Sequence, residues 1–290
     1  MSIVVTGASG HLGRSVVDHL LEKVEPSALV LVTRRPEALA HLAARGAEVR
    51  AGDFDEPASL AAAFAGGERL LLISTDAVGR RVEQHRAAVA AAVEAGVRSI
   101  AYTGMINPSD SNPCVVAPEH RETEEAIRAS GLEWTFLRNA IYAEMLLPGA
   151  EAALAGGRLI GNSGDGRNGY VAREDCAAVA AAVLTSDGHS GRAYDITGPE
   201  ALSVADVAAL LSQLADREVE PLLLDDDAWV ATMVEHAGMS EEGARAYATF
   251  GRAMRDGYAA PVSTAVQDLT GRPPRPVREV LEAALSPALR

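Results

Sequence analysis

The residues best equipped for chemistry stand near the start of the chain. Thr6-Gly7-Ala8-Ser9-Gly10-His11-Leu12-Gly13 follows the apolar run Ile3-Val4-Val5 and opens a helical pattern. The spacing is Gly-x-x-Gly-x-x-Gly rather than the commoner Gly-x-Gly-x-x-Gly, but the physics is shared. Gly7 permits a tight turn, Gly10 lets backbone amides approach an anion, and Gly13 lets helix and strand pack closely. The loop from Thr6 to Gly13, with Ser9, His11 and Leu12 among its members, is therefore expected to hold a dinucleotide pyrophosphate at a helix N-terminus. The second apolar run ends at Thr33-Arg34-Arg35. An NAD site would place an acidic side chain there, whereas Arg34 suits the 2′-phosphate of NADP. One charge-assisted contact of that kind contributes roughly 1.5–3 kcal/mol, so NADP(H) is expected in preference to NAD(H). The alternative is that both arginines only solvate a turn. Asp53 and Phe54, within Gly52-Asp53-Phe54-Asp55, would lie near the adenine, while Asp55 suits a helix cap.

A nicotinamide site of this kind invites a search for Tyr-x-x-x-Lys, the usual proton-transfer pair. The fourth residue after each tyrosine is Ile106, Leu146, Glu174, Gly198, Gly251 or Val262, and the one lysine of the chain, Lys23, lies in the first helical segment. Hydride transfer without that pair suits acceptors that stabilise an anion or begin as cations; simple ketones need a positioned acid. Other groups are candidates for substrate positioning or proton donation. Tyr142 and Tyr102 can stack on a flat acceptor, donate a proton, or serve in the core. Asn139 can orient a substrate or carboxamide, or form a turn. His120 can protonate a product, or stand solvated at a helix start. Cys114 reads as a packing cysteine.

The elements that must position these groups show two rhythms. Up to about residue 140, short unalternating apolar runs (3–5, 29–32, 47–49, 70–73, 99–102 and 134–137) alternate with helical segments such as 81–95, where Val82, Val89 and Val93 recur at helical spacing. Such runs are strands buried on both faces, and their alternation with helices predicts an α/β, doubly wound parallel Rossmann sheet over 1–140. Residues 141–290 read as a smaller, mostly helical substrate lobe, intertwined with the first. Six glycines between 156 and 169 suggest a hairpin or surface turn rather than a second phosphate loop, since no strand-then-helix frame surrounds them. Ser203-x-x-Asp206 suggests a capping box, and Asp225-Asp226-Asp227 a helix start rather than a metal site. The loop 104–118, at the C-terminal end of a strand, is expected to be a substrate lid.

Composition excludes several classes. A formal net charge of −14 argues against sequence-independent binding to nucleic acid or anionic membrane. No apolar run approaches membrane-span length, and two cysteines are too few for a disulfide scaffold or zinc site, so no metal is expected. With no secretory signal discernible, the expected location is the cytoplasm.

The sequence resembles the NmrA-like branch of the atypical short-chain dehydrogenases/reductases, and within it the type 2 NADPH-dependent quinone oxidoreductases and the triphenylmethane reductases. The carriers are Thr6 to Gly13, Leu71-Leu72-Ile73-Ser74-Thr75, Gln84-His85-Arg86, Ala95-Gly96-Val97 with Ile100 to Thr103, Glu119 to Glu124, Leu137-Arg138-Asn139-x-x-Tyr142 and Gly164 to Arg167. The resemblance implies that Ser74 and Thr75 pass the nicotinamide ribose. It implies that Arg138, Asn139, Ala140, Ile141 and Tyr142 lie beside the nicotinamide and pyrophosphate, that Tyr170 to Arg173 close over the cofactor, and that Arg34 meets the 2′-phosphate. His120 and Glu124 fall roughly where the Tyr–Lys pair is missing. Thr103-Gly104 and the following loop depart from the family pattern. The function so implied is an NADPH-dependent reductase of a quinone-like, conjugated or cationic small molecule, acting as monomer or homodimer. The alternative is an NADP(H)-binding redox sensor without turnover.

Overall fold

The computed structural model describes residues 1–286. Six strands come from the first half of the chain: β1 (Ile3–Val5), β2 (Leu29–Thr33), β3 (Glu48–Ala51), β4 (Arg69–Ile73), β5 (Ser99–Met105) and β6 (Glu133–Asn139). Of the next two, β7 (Arg158–Gly161) lies apart and β8 (Arg192–Ile196) joins the main sheet. The sheet order is β3-β2-β1-β4-β5-β6-β8, every pair parallel. The chain runs outward from β1 to β3, then crosses back to β4. A crevice therefore opens between the C-terminal ends of β1 and β4, where this fold binds its ligand.

Strand alternation divides the core into two layers. Ile3, Val5, Leu29, Leu31, Leu71 and Leu137 face α1 (His11–Leu21), the short α2 (Ala40–Ala43) and later helices. Val4, Val30, Val32, Leu70, Leu72, Tyr102 and Phe136 face α3 (Leu60–Phe64), α4 (Arg81–Glu94) and α5 (Ala117–Ala129). Each fully buried Leu or Val contributes about 1.5–3 kcal/mol, so the alternation fixes which strand residues remain at the strand ends for a site. In α4 the buried face is Arg81, Gln84, His85, Ala88, Val89, Ala91 and Ala92, while Val93 is exposed. The valine stripe expected there gives way to small alanines and polar groups that reach toward the crevice.

The second half contributes α6 (Leu147–Gly156), α7 (Arg173–Thr185), α8 (Val204–Ala215), β9 (Glu220–Leu223), α9 (Asp226–Ala237), α10 (Glu241–Arg255), α11 (Ala265–Thr270) and α12 (Val277–Leu285). The expected division at residue 140 is crossed by the chain: α7, β8 and α11 return to the sheet layer, with α7 against α1. The remaining elements enclose a separate core that includes Leu154, Leu159, Leu211 and Leu281. Ser203 and Asp206 form the capping box of α8, and the Asp225 carboxylate accepts from the Ala228 amide to cap α9.

The glycine-rich stretch is not a hairpin. β7 pairs in parallel with β9, and α7, β8 and α8 intervene. Its glycines permit close crossings: a Cβ on Gly166 would stand 2.4 Å from the Met254 carbonyl carbon, and one on Gly161 2.6 Å from Val204 Cγ2.

Candidate active site

A cleft of about 770 Å³ occupies the crevice, with the phosphate loop at one end and α10 across from it. Gly7 has φ +60°, and Gly10 begins α1 with no side-chain cap. The first-turn amides of α1 thus remain available to an anion. Gly13 completes the cradle, since a Cβ there would lie 2.2 Å from the Gly7 carbonyl oxygen. The Ser9 and Thr33 hydroxyls are 2.7 Å apart and tie the loop to the end of β2. Arg34 and Arg35 follow, exposed on the cleft wall, with Asp53 and Phe54 opposite them in the lining. These features fit an NADP(H) diphosphate and 2′-phosphate.

Thr6 does not reach the cleft. Its buried hydroxyl donates to the Leu71 carbonyl at 3.0 Å and accepts from the Ile73 amide at 2.9 Å, stitching β1 to β4. Asp55 does not cap a helix; it accepts from Gln84 Nε2 at 2.7 Å and from Arg80 at 3.0 Å.

Ser74 and Thr75 line the cleft on a loop held by side chains that the sequence reading gave no role. The Ser74 amide donates to Thr103 Oγ1, the Thr75 amide to His85 Nε2, and the Thr75 hydroxyl to Gln84 Oε1. Arg81 donates to the Thr75 carbonyl and pairs with Glu119 at 2.6 Å, both side chains largely buried. Gln84-His85-Arg86 was visible as a motif, but its task becomes apparent only when α4 is seen beneath this loop.

Arg138 belongs elsewhere. Its guanidinium makes a two-pronged pair with Glu124, at 2.8 and 2.7 Å, and Glu124 also accepts from Arg128. Glu124 is 1% exposed; an arginine this close neutralises it and is not free for a phosphate. Neither residue lines the cleft, whereas Asn139, Ala140, Ile141 and Tyr142 do. Asn139 Nδ2 donates to the Tyr142 hydroxyl at 3.1 Å, Arg173 lies over the Tyr142 ring at 5.1 Å, and Asn139 Oδ1 is buried without a partner. An orphaned acceptor beside the strand ends fits the carboxamide of a nicotinamide. Tyr170 is buried behind the wall, its hydroxyl 4.0 Å from the Met254 sulfur, and does not close over the cleft.

His120 is 6% exposed, so it is not solvated. It lines the cleft and meets the fully buried Tyr102 hydroxyl at 2.7 Å through Nδ1. Tyr102 itself faces the α4–α5 layer, away from the cleft. In His85, Nε2 accepts from the Thr75 amide, so Nδ1 donates to Thr123 at 3.0 Å. Burial, with Arg81 nearby, lowers His85 to about 3 and holds His120 well below the ordinary imidazole range.

The two imidazoles make stability depend on pH. Between about 3 and the ordinary value of 6.5, unfolded His85 binds a proton that folded His85 refuses. The stability difference is absent above that range and grows as pH falls, by roughly 1–1.5 kcal/mol per pH unit for each histidine. Thermal melting is expected to be flat above neutrality and to drop steeply below pH 6 or so. In His85→Gln the acid slope should be shallower; an unchanged slope would contradict the assignment.

The loop 106–116 forms a wall of the cleft and is anchored to the second half of the chain. Asn107 Nδ2 donates to the Tyr258 carbonyl at 2.6 Å, and the Val115 amide to Thr249 Oγ1 at 3.0 Å. Cys114 is buried in it, and burial raises its thiol above the usual range. Around this wall, Val115, Met145, Tyr247, Phe250 and Tyr258 present an apolar surface to the cleft, the first three substantially exposed.

A crossover-built parallel sheet with this loop defines an NAD(P)H-binding oxidoreductase, and residues 7–187 match the NAD(P)H-binding family model. The chain belongs to that family, in its NmrA-like branch. It is 42% identical over 217 residues to quinone oxidoreductase 2 of Escherichia coli, covering 75% of this chain and 76% of that one. It is 33% identical to the NAD(P)H azoreductase of Xenophilus azovorans, over 97% of each chain. Its fold superposes on the Escherichia coli quinone oxidoreductase complexed with NADPH with a TM-score of 0.93 at 36% identity, covering 98% and 99% of the two chains. Against the Citrobacter sp. triphenylmethane reductase complexed with NADP(H) the TM-score is 0.91 at 35% identity, with 98% and 100% covered. The chain is an NADP(H)-dependent oxidoreductase. Among the described residues, no helix is long and apolar enough to cross a membrane.

Proposed function

We propose that this enzyme reduces flat, conjugated small molecules, quinones foremost, and cationic dyes of similar shape. The observation that carries the reading is the character of the cleft beside Asn139 and Tyr142: apolar side chains line it together with the neutral polar side chains of His120 and Tyr142. Bound NADPH supplies the hydride. Gly7 to Gly13 and Arg34 would hold its phosphates, and Asn139 Oδ1 and the Ser74–Thr75 loop would orient its nicotinamide end. The ring of Tyr142, held by Arg173 and Asn139, supports a planar acceptor. Burial raises the Tyr142 hydroxyl above its ordinary range, so it stays protonated and can donate.

His120 serves as a neutral donor through Nε2. In this reading the Tyr102 hydroxyl donates to Nδ1, and burial denies the ring the charged form. Tyr102 is a poor acid, because burial raises its hydroxyl too. His120 and Tyr142 therefore stabilise charge on an acceptor oxygen without acting as strong acids. Such a site favours acceptors that delocalise the added electron pair, and the chain works chiefly by holding the acceptor in place. The protein acts as monomer or homodimer on a small molecule, in the cytoplasm.

The test is loss of NADPH absorbance with a panel of quinones, enones, imines and cationic triphenylmethane dyes. Turnover is expected with quinones and dyes and not with simple aliphatic ketones. Tight NADPH binding with no turnover on the whole panel would overturn the reading in favour of a redox sensor.

A further inference from the structure

Asn168 has no part in the cofactor site, yet it is among the residues that border the cleft. It is 0% exposed, and neither Oδ1 nor Nδ2 has a hydrogen-bond partner. The Tyr170 hydroxyl lies beside the amide, and its own hydrogen bond goes to the Met254 sulfur at 4.0 Å. The backbone here is not loose. The Asn168 amide donates to the Leu202 carbonyl at 3.0 Å, and the Leu202 amide returns the bond at 2.9 Å. The Gly169 amide donates to the Ala259 carbonyl at 3.0 Å, and Val171 bridges to Tyr142. Asn168 is thus clamped in the corner between Tyr142 and the Tyr258–Ala259 segment, on the acceptor side of the cleft.

A buried amide group left unpaired costs about 1–3 kcal/mol, and leucine of similar size would carry no such penalty. The penalty is relieved when a ligand supplies partners. From these observations we infer that Asn168 is a specificity-determining residue that binds the oxygen substituents of the acceptor. A carbonyl oxygen accepts from Nδ2, and a neighbouring hydroxyl donates to Oδ1, so the preferred class is a quinone bearing a hydroxyl next to its carbonyl. Because the amide is fully enclosed, binding needs a small outward shift of the wall. This proposal rests on reading the cleft as an acceptor site.

The test compares wild type with Asn168→Leu on two probes, a hydroxynaphthoquinone and an oxygen-free cationic triphenylmethane dye. The expected result is a KM for the quinone raised about 10–100-fold, a KM for the dye and a Kd for NADPH changed by less than about twofold, and a higher Tm. An unchanged quinone KM would overturn the proposal. So would a lower Tm with both acceptors equally impaired, which would make the amide part of the folded framework. If the wild type turns over neither probe, the reductase reading fails separately. Calorimetric binding of the hydroxynaphthoquinone to the NADP⁺ complex then decides on Asn168: weaker binding by the variant supports it, equal binding overturns it.

Discussion

Gly13→Ala is expected to raise the Kd for NADPH on the order of 100-fold and to lower the melting temperature. The new methyl carbon would stand 2.2 Å from the Gly7 carbonyl oxygen, 2.8 Å from Ala8 Cα and 2.9 Å from the Gly7 carbonyl carbon. All three are backbone atoms, so no side chain can rotate aside. Either α1 moves away from β1 or the turn at Gly7 opens. Overpacking of this kind costs about 1–3 kcal/mol of stability. The larger effect is on binding, because the loop amides act through their geometry, and a displacement near 1 Å can cost roughly 100-fold. Gly10→Ala is the graded control: its added carbon would be 3.2 Å from the same oxygen, a contact that a small shift relieves. Calorimetric titration with NADPH and thermal melting of both variants check the order. Equal binding by wild type and Gly13→Ala would mean that the diphosphate lies elsewhere.

Arg34→Ala is expected to raise the KM for NADPH by about 10–100-fold while leaving that for NADH nearly unchanged. Arg34 stands exposed at the end of β2, beside the Ser9–Thr33 contact that fixes its backbone relative to the phosphate loop. Its guanidinium suits a dianionic phosphate and has nothing equivalent to bind on NADH. The ratio of the two KM values isolates the contact, since damage to the fold would raise both. A parallel rise for both nucleotides would remove the 2′-phosphate from Arg34. Arg35→Ala separates the contribution of the neighbouring charge.

Different parts of the molecule were legible in the sequence to different degrees. The phosphate loop is contiguous, and its strand, turn and helix occupy residues 3–21, so local spacing sufficed. The same holds for Arg34, one residue beyond β2, whereas Asn139 to Tyr142, at the end of β6 and just past it, were reached through the family resemblance. Arg138 shows the limit. Whether it meets a phosphate or Glu124 depends on α5 lying against β6, a contact between segments that no local pattern encodes. Tyr102 shows another: side chains alternate along β5, and the face that Tyr102 takes is set by the helices packed on the sheet. His120 reads as a solvated helix start by position, but in the fold it is buried against Tyr102, with Arg81 and His85 nearby.

The sequence by itself determined the dinucleotide fold, the cofactor and the lack of a Tyr–Lys pair. These depend on covalent neighbours, on burial alternation and on residue identity. Only the tertiary structure decided which polar groups line the cleft. Arg138 and Tyr102 turned away, His120 came in as a buried, uncharged imidazole, and Asn168 arrived from the second half of the chain with an unpaired amide. That choice follows from long-range packing, in which a charge or an amide settles according to the partner that the fold places within about 3 Å of it.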